Sequence, residues 1–397
     1  MTAYLNALGL VCALGRGQAE VARRLFDGDC SGMHAEAGWV PEQRLPVGAV
    51  TGDLASVPLP EQHSRNNQLL HCAGLQIEPA LRQAIAQFGA QRVGVVLGTS
   101  TSGIAEASDD IGHYLQSGQF PDGYRYDQQE LSAPANFLAD WLQLSGPTYV
   151  ISTACTSSGR ALLSARRLLD LGLCDAVLCG GVDSLCRLTL NGFSALEAVS
   201  QQRCNPFSAN RDGINIGEAA ALFLMTREAN PHGPAIALLG AGASCDAHHI
   251  SAPDPTGQGA LVTMRKALAS AGLQPEQVDY LNLHGTATAH NDAMESLAVD
   301  SLFGARLPCS SSKPMTGHTL GAAGALEAAL CWLSLSEHNP QDLLPPHIWD
   351  GQQDPQLPAL ALVRAGQRLA ITGPRRLMSN SFAFGGNNIS LIIGDAQ

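Results

Sequence analysis

Short apolar and β-branched runs alternate along the chain with segments of helical periodicity. The runs at 91–98, 147–153 and 175–182 end in glycine or another small residue, as strands buried on both faces do. Between the last two runs, apolar residues recur at helical spacing and charged residues occupy the opposite face. This alternation predicts a strand–helix–strand unit. The apolar positions of its helix are Ala161, Leu162, Ala165, Leu168 and Leu169.

The same alternation returns in the second part of the chain and predicts a duplicated α/β architecture. Strands are predicted at 235–240, 278–283 and 389–393, with helices at 259–271, 292–302 and 322–336. A chain of 397 residues also exceeds the usual size of a single core. Residues 230–234 (Asn-Pro-His-Gly-Pro) break both helix and strand, so we predict two halves, 1–233 and 234–397. A loop-rich stretch at 252–259 is a candidate mobile cover over a site.

Charge and cysteine usage narrow the functional class. Lys and Arg number 23 against 35 Asp and Glu, and the resulting net charge of -12 argues against nucleic acid and anionic membranes as partners. Residues 1–10 lack the pattern of a secretory signal and no apolar run reaches 18 residues, so we expect a cytoplasmic protein. The 11 cysteines include no Cys-x-x-Cys pair, which favours reduced thiols over disulfides or a zinc site.

Cys155 stands out among these cysteines because of its position. It lies in Ser152–Gly159 (STACTSSG), where a buried strand is predicted to end and a helix to begin. A helix N-terminus stabilises a thiolate and would lower the pKa of the thiol. For any one of 11 cysteines, however, a buried core position is the commoner role.

Two histidines lie in glycine- and threonine-containing segments later in the chain. His284 directly follows a predicted strand and precedes Thr286 and Thr288, whose hydroxyls would hold an amide-containing ligand or cap the next helix. His318 lies in a segment that also contains Lys313, among small residues that let the backbone approach a ligand. Residues taken alone leave a protease, a transferase and a metal site open.

Five segments together resemble the β-ketoacyl-acyl carrier protein synthases of the elongation class, over essentially the whole chain. They are STACTSS at 152–158, RDGINIGEAAA at 211–221, NLHGTATAHND at 282–292, SSKPMTGHTLGAAGALE at 311–327 and SNSFAFGGNN at 379–388. The resemblance implies a thiolase fold, with two α/β halves in a five-layer αβαβα arrangement, usually dimeric. It also implies a decarboxylating acyltransferase.

The resemblance implies a role for each matching residue. Cys155 would carry the acyl chain, and His284 and His318 would face the malonyl thioester. Lys313 would belong to the catalytic set and, with Glu327, would tune and orient His318, while Asp292 would be a further supporting carboxylate. The other implied sites are Thr286 and Thr288 for phosphopantetheine, the backbone of Cys155 and Phe384 as the oxyanion hole, and Phe384, Gly385 and Gly386 as a gate. No metal or redox cofactor is implied, and the substrates would arrive on the phosphopantetheine of an acyl carrier protein.

Two departures from the family pattern favour specialised polyketide or polyene biosynthesis over housekeeping fatty acid synthesis. The proline that usually follows Thr-x-Thr is absent, and Ala289-His290-Asn291 occupies that stretch. Before Pro206 the chain has Asn205 where the family commonly has arginine, and Arg203 lies two residues earlier. That arginine often helps to dock the acidic carrier protein, so a changed docking surface is expected.

Three rival interpretations stay open on sequence grounds. A thiolase would need a second cysteine near the C-terminal glycine-rich loop, and the last cysteine is Cys331. The initiating synthases, which use coenzyme A thioesters, have a Cys-His-Asn set of site residues. In this chain His318 lies instead in a Gly-His-Thr segment, which argues against that class. A chain-length factor would bind a sister synthase without being acylated, but such subunits generally lack the nucleophile. The sequence does not decide between a homodimer and a heterodimer with such a subunit, or the acyl chain length.

Overall fold

A computed structural model describes residues 2–231, 233–370 and 373–396. Its helices are α1 Gln18–Phe26, α2 Arg65–Phe88, α3 Ile104–Ser117, α4 Ala133–Leu142, α5 Ser157–Asp170, α6 Arg187–Ala195, α7 Gln258–Ala271, α8 Ala289–Phe303, α9 Lys313–Thr316 and α10 Ala323–Leu335. Its strands are β1 Ala3–Cys12, β2 Gly15–Arg16, β3 Met33–Ala37, β4 Arg44–Gly48, β5 Val93–Gly98, β6 Thr148–Ile151, β7 Ala176–Asp183, β8 Ala219–Thr226, β9 Ile236–Cys245, β10 Tyr280–Asn282, β11 Pro308–Ser310, β12 Ala361–Leu362, β13 Arg376–Phe382 and β14 Asn387–Asp395.

The predicted strands and helices are all present, with shifted ends. The largest extension is in β9, which continues to Cys245 instead of ending at 240. Helix α8 begins at Ala289, three residues before the predicted start, so residues 289–291 belong to the helix rather than to the preceding loop. The alternation of elements therefore confirms the predicted α/β class.

One large mixed sheet runs through both halves of the described chain. Its strands follow the order β12-β11-β10-β13-β14-β9-β1-β8-β7-β5-β6, with β2 paired to β1. The central strand β1 pairs antiparallel with β8 along most of its length and with β9 at Ala3 and Tyr4. The predicted boundary at 233/234 falls between β8 and β9; His232 of the predicted linker lies outside the described residues. The division into two domains stays a prediction.

Helices lie between and outside the two parts of this sheet. All 13 residues of α10 are buried, and the helix contacts α5 as well as strands from both halves, β7 and β8 on one side and β13 and β14 on the other. Helices α2 and α4 cover the outer face of the first half, and α7 covers that of the second and packs on α8. This is a helix–sheet–helix–sheet–helix stack, and its middle layer brings the two halves together.

The carboxyl ends of four strands lead into the segments that carry the candidate residues. Strand β6 leads to Cys155, β10 to His284, β11 to Lys313 and His318, and β13 to Phe384. Because β10 is parallel to both β11 and β13, the ends of those three strands meet at one edge. Among the described residues no helix is both long and apolar enough to cross a bilayer.

Candidate active site

Cys155 lies in a tight turn between β6 and α5, as the sequence predicts. Ala154, just before it, has a φ of 51°, a left-handed conformation that is strained for a residue with a Cβ atom. The Ser157 hydroxyl donates to the Ala154 carbonyl at 2.5 Å and accepts the Thr153 N–H at 2.9 Å, which holds the turn closed. The turn directs the Cys155 side chain, 5% exposed, into a cavity.

The protonation of Cys155 differs from the expectation based on the helix N-terminus. Burial raises the pKa of the Cys155 thiol to about 12, and the nearby Lys313 ammonium offsets only part of this effect. Helix α5 does begin two residues later, but removing the sulfur from water outweighs the helix dipole here. At rest the sulfur is therefore a thiol, and it needs a neighbouring base to become a nucleophile.

His318 is the imidazole in contact with the Cys155 sulfur. Its Nε2 lies 2.9 Å from the Cys155 Sγ, and burial, followed by Lys313, lowers the pKa of this imidazole well below its usual value. The backbone of His318 is fixed by the Arg211–Ala221 segment: its N–H donates to the Asn215 carbonyl at 2.7 Å, and its carbonyl accepts the Gly217 N–H at 2.9 Å. The sequence singled out that segment as a motif without giving it this task.

A glycine next to His318 makes this backbone pairing possible. Gly317 has a φ of 68°, and a Cβ atom there would lie 2.8 Å from the Gly217 nitrogen. Since both the conformation and the space exclude a side chain, only glycine fits at this position. The close approach of the two backbones therefore sets where the His318 ring can lie.

His284 completes a three-residue cluster at the bottom of the cavity. Its ring lies edge-on to His318 with 5.3 Å between ring centroids, and its side chain is buried. Burial lowers the pKa of His284 well below its usual value, and the charge of Lys313 and then of His318 acts in the same direction. Both imidazoles are therefore neutral near pH 7, and each offers one N–H that donates a hydrogen bond and one bare nitrogen that accepts one.

Glu295 holds the His284 loop and was not predicted from the sequence. Its two carboxylate oxygens accept the backbone N–H groups of His284 at 2.8 Å and Gly285 at 2.7 Å. The side chain is fully buried, which raises the pKa of the Glu295 carboxyl to about 7. The available signal was its spacing: Glu295 and the predicted Asp292 are three residues apart and so share one face of α8.

Lys313 and Glu327 form a buried ion pair behind the histidines. The Lys313 Nζ lies 2.5 Å from a Glu327 oxygen and also donates a short hydrogen bond to the His284 carbonyl. Burial raises the pKa of Glu327, while Lys313 opposes the shift. Lys313 thus contacts the His284 backbone rather than the His318 ring that the resemblance implies, and the supporting role of both residues stays a prediction.

Asp292 supports the loop that carries Thr286 and Thr288. Its carboxylate accepts the Phe207 N–H at 2.7 Å and the Ala287 N–H at 3.2 Å, and burial raises its pKa to about 6. The two threonine hydroxyls lie 3.0 Å apart, and both residues line the cavity. Thr288 precedes α8, yet its side chain makes no capping bond, so the helix-capping alternative is wrong.

The segment at Phe384 borders the mouth of the cavity. The Phe384 ring lies 5.5 Å from that of Phe193, centroid to centroid, and both line the opening. Gly385 donates its N–H to the Ile250 carbonyl at 2.7 Å, and Gly386 accepts the Asp246 N–H at 2.8 Å. The predicted gate is thus bonded to the segment that leads into the predicted cover, of which Ala252 and Pro253 line the same cavity.

The cavity has a volume of about 540 Å³ and mostly apolar walls. Cys155, His284 and His318 lie together in this cavity, with the Cys155 sulfur and one ring nitrogen of each histidine all within 4.8 Å of one another. Such a Cys-His-His group can serve acyl transfer, but its atoms are also of the kind that bind zinc. Geometry alone therefore leaves the reaction class undecided.

Comparison with known proteins decides the class. Residues 68–230 match the β-ketoacyl synthase N-terminal domain and residues 236–348 its C-terminal domain. The 3-oxoacyl-[acyl-carrier-protein] synthase 2 of Synechocystis sp. is 32% identical over 338 residues, which are 81% of this chain and 79% of that protein.

Two solved structures add a fold-level match over the full chain. A ketosynthase from Xenorhabdus doucetiae, solved in complex with its chain length factor, is 46% identical, with a TM-score of 0.93 over 100% of this chain and 98% of that one. The ishigamide ketosynthase/chain length factor is 27% identical, with a TM-score of 0.88 over 100% and 99%. The fold, the two matched domains and the Cys-His-His cluster agree: this chain belongs to the β-ketoacyl synthase family of condensing enzymes.

Proposed function

We propose that this chain is a β-ketoacyl-acyl carrier protein synthase that joins a malonyl unit to an acyl chain held on Cys155. The observation that carries the proposal is the contact of 2.9 Å between the Cys155 sulfur and the His318 Nε2, with His284 beside them in one buried cavity. Thioester exchange needs a nucleophile with an adjacent base, and malonyl decarboxylation needs hydrogen-bond donors for an enolate oxygen. The cluster offers both.

In the first half-reaction, Cys155 gives its proton to His318 and the sulfur attacks the thioester carbonyl of the acyl carrier protein. The new S–C bond forms as the bond to the pantetheine sulfur breaks, and the released thiolate takes up the proton. The backbone N–H groups of Cys155 and Phe384 are the proposed oxyanion hole, with each donor stabilising the tetrahedral intermediate by roughly 3 to 4 kcal/mol. Thr286 and Thr288, on the cavity wall, would hold the pantetheine arm.

In the second half-reaction, malonyl thioester in the same cavity loses carbon dioxide. His284 and His318, neutral for the reasons given above, donate hydrogen bonds to the enolate oxygen. The enolate carbon then attacks the Cys155 thioester, so that one C–C bond forms and the C–S bond breaks. The Cys155 thiolate released in this step takes up one proton from water and returns to a thiol. The condensation involves no net oxidation or reduction, and the proposal requires no metal or redox cofactor.

The imidazole roles are tested by replacing each histidine with alanine. We expect His284→Ala to release carbon dioxide from malonyl-carrier protein roughly 10²-fold to 10³-fold more slowly than wild type, since one enolate donor is lost. His318→Ala should show the same loss and should also acylate Cys155 slowly, because it removes the base. Carbon dioxide release and intact protein mass measure the two half-reactions separately. Undiminished release in either variant would show that the assigned role is wrong.

The proposed partner, besides the carrier protein, is a homologous subunit of the chain length factor kind. Both solved structures described above come from ketosynthases with a chain length factor. This chain also exposes a group of large apolar side chains around α3, within which Phe120 stacks between Tyr114 and Tyr124 at centroid distances of 4.5 and 4.1 Å. The exposed residues of that group are Ile111, Tyr114, Leu115, Phe120, Tyr126 and Leu131. Such a face favours a protein interface.

Co-expression tests the partner. We expect the chain to co-purify with a co-expressed homologous subunit of the chain length factor kind as a 1:1 complex, and Leu115→Glu with Tyr126→Glu to weaken that complex. Light scattering gives the mass. A stable homodimer that acylates and condenses without any second chain would instead establish the homodimeric alternative.

A specialised polyketide or polyene pathway is the proposed context. The structure with 46% identity is a ketosynthase in complex with a chain length factor, whereas the 3-oxoacyl-[acyl-carrier-protein] synthase 2 of Synechocystis sp. is 32% identical. A non-catalytic role for this chain is disfavoured, because Cys155 and both histidines are present and converge. The compartment we propose is the cytoplasm, as the sequence predicts.

A further inference from the structure

His347 is a buried histidine outside the catalytic cavity that bonds to the backbones of Ser311 and Pro206. It lies between α10 and β12 and is 5% exposed. Its Nδ1 accepts the Ser311 N–H at 3.1 Å, and its Nε2 lies 3.1 Å from the Pro206 carbonyl oxygen. Because a carbonyl only accepts, Nε2 must carry the proton, and because a backbone N–H only donates, Nδ1 must be bare. Both contacts exist together only in one neutral tautomer.

The surroundings of the ring favour that neutral form. Phe207 and Trp349 pack around it at centroid distances of 6.0 and 5.8 Å. Burial lowers the pKa of His347 to about 4, and the Pro206 carbonyl only partly opposes this. At neutral pH the ring is therefore uncharged, and both of its nitrogens are satisfied.

Ser311, which donates its N–H to His347, also bonds through its hydroxyl to the segments that carry His284 and Lys313. The Ser311 hydroxyl donates to the Gly285 carbonyl at 2.7 Å and accepts the Lys313 N–H at 3.3 Å. Gly285 directly follows His284, and Lys313 donates to the His284 carbonyl. Ser311 therefore sets the distance between the loop of His284 and the start of α9.

The bond to Pro206 closes a ring of contacts around the same loop. Phe207, the next residue, donates its N–H to Asp292, and Asp292 also accepts the Ala287 N–H in the His284 loop. The loop is thus held from both ends by a circuit in which His347 is the link between Ser311 and Pro206. The space is tight, since a Cβ atom on Gly285 would lie 2.6 Å from the Ser311 Cβ and 3.0 Å from the Phe207 ring.

We infer that His347 is a positioning residue for the decarboxylation step, acting as a neutral bridge between Ser311 and Pro206 that fixes where the His284 ring lies. It does not line the catalytic cavity, so it acts without touching substrate. Cys155 and His318 are positioned by other elements, the β6–α5 turn and the Arg211–Ala221 segment. Loss of the bridge is therefore expected to affect enolate formation more than acyl loading. The inference rests on the proposed function.

The test compares His347→Phe, which keeps an aromatic ring and removes both hydrogen bonds, with His347→Gln, whose amide offers one acceptor and one donor. We expect His347→Phe to slow carbon dioxide release from malonyl-carrier protein roughly 10-fold to 100-fold, as a misplaced catalytic group does. Acylation of Cys155 should stay within about twofold of wild type, and His347→Gln should recover at least half of the lost rate on a logarithmic scale.

A matched control is His71→Phe, a buried histidine of α2 that packs against Phe137 and Trp141 at centroid distances of 6.2 and 5.0 Å. It should leave both half-reactions unchanged. In ¹⁵N-histidine spectra of wild type, the signals lost in His347→Phe should show protonated Nε2 and bare Nδ1. If His347→Phe does not fold, Ser311→Ala provides the test, because it removes the hydrogen bond from the Ser311 hydroxyl to the Gly285 carbonyl. It should likewise slow carbon dioxide release while leaving acylation of Cys155 nearly unchanged.

Each outcome separates this inference from the proposed function. A wild-type protein that neither acylates nor decarboxylates, alone or with its partner, would overturn the proposed function. With an active wild type, equal losses in both half-reactions, no rescue by His347→Gln, the opposite tautomer or an unaffected His347→Phe would each overturn the positioning role.

Discussion

Replacing Cys155 by alanine should abolish acyl transfer, the largest effect we expect on activity. The intact mass of wild type should rise by the mass of the acyl group after incubation with acyl-carrier protein, and the mass of Cys155→Ala should not change. Without the sulfur no covalent intermediate forms, and removal of a nucleophile that acts together with its base typically costs on the order of 10⁶-fold in rate. The cavity itself should persist, because the change removes one buried atom.

Cys72→Ala is the matched control for this experiment, since Cys72 is a partly buried free thiol on α2, away from the cavity. It should acylate like wild type. If Cys155→Ala still gained the mass of the acyl group, or if Cys72→Ala failed to gain it, Cys155 would not be the nucleophile. An acylated peptide that contains Cys155 after digestion completes the assignment.

Replacing Lys313 by alanine should produce the largest loss of stability. It leaves the Glu327 carboxylate without its cation at a site where both side chains are at most 3% exposed, and it also removes the donor to the His284 carbonyl. Breaking a buried pair from one side typically lowers the free energy of unfolding by about 3–5 kcal/mol. Urea unfolding followed by circular dichroism measures the change, and decarboxylation should fall with it.

Two further variants show whether the stranded charge is the cause. Lys313→Met combined with Glu327→Gln removes both charges and should regain part of the stability, although decarboxylation should stay low. Arg82→Ala breaks a surface pair with Glu78 and should change the free energy of unfolding by less than about 1 kcal/mol. A Lys313→Ala protein as stable as wild type would mean that Glu327 is neutral in the folded state.

The order of strands and helices could be predicted from the sequence because buried parallel strands leave continuous apolar runs. Strands β5 and β7 are such runs, whereas β6 is a half-buried strand at the end of the sheet, so the predicted burial on both faces is wrong for it. All three strands were predicted within three residues of their ends. The central strand β1 was not predicted. Its partners, Leu224 and Phe223 among them, lie more than two hundred residues away, and local patterning does not reveal such pairing.

Among the site residues, too, those marked by a local sequence motif could be predicted and those that depend on distant contacts could not. Cys155, His284, His318 and Lys313 lie in segments with their own local signature, and the structure brings them together. Glu295 and His347 act through the backbone of distant segments, so no motif marks them. The direction of the Cys155 pKa was also beyond reach, because it depends on how much water the folded chain excludes from the sulfur.

The position of β1 between β8 and β9 in the sheet has a consequence for the order in which the protein folds during synthesis. Strand β1 is synthesised early, but its pairing partners follow much later in the chain. Leu8 pairs with Phe223 of β8, and Tyr4 pairs with Ala237 of β9. Contacts so distant in sequence make folding slow and leave apolar edges unprotected meanwhile. A nascent chain shorter than about the end of β9 therefore holds an incomplete sheet, and chaperone binding during translation is the expected cost of this topology.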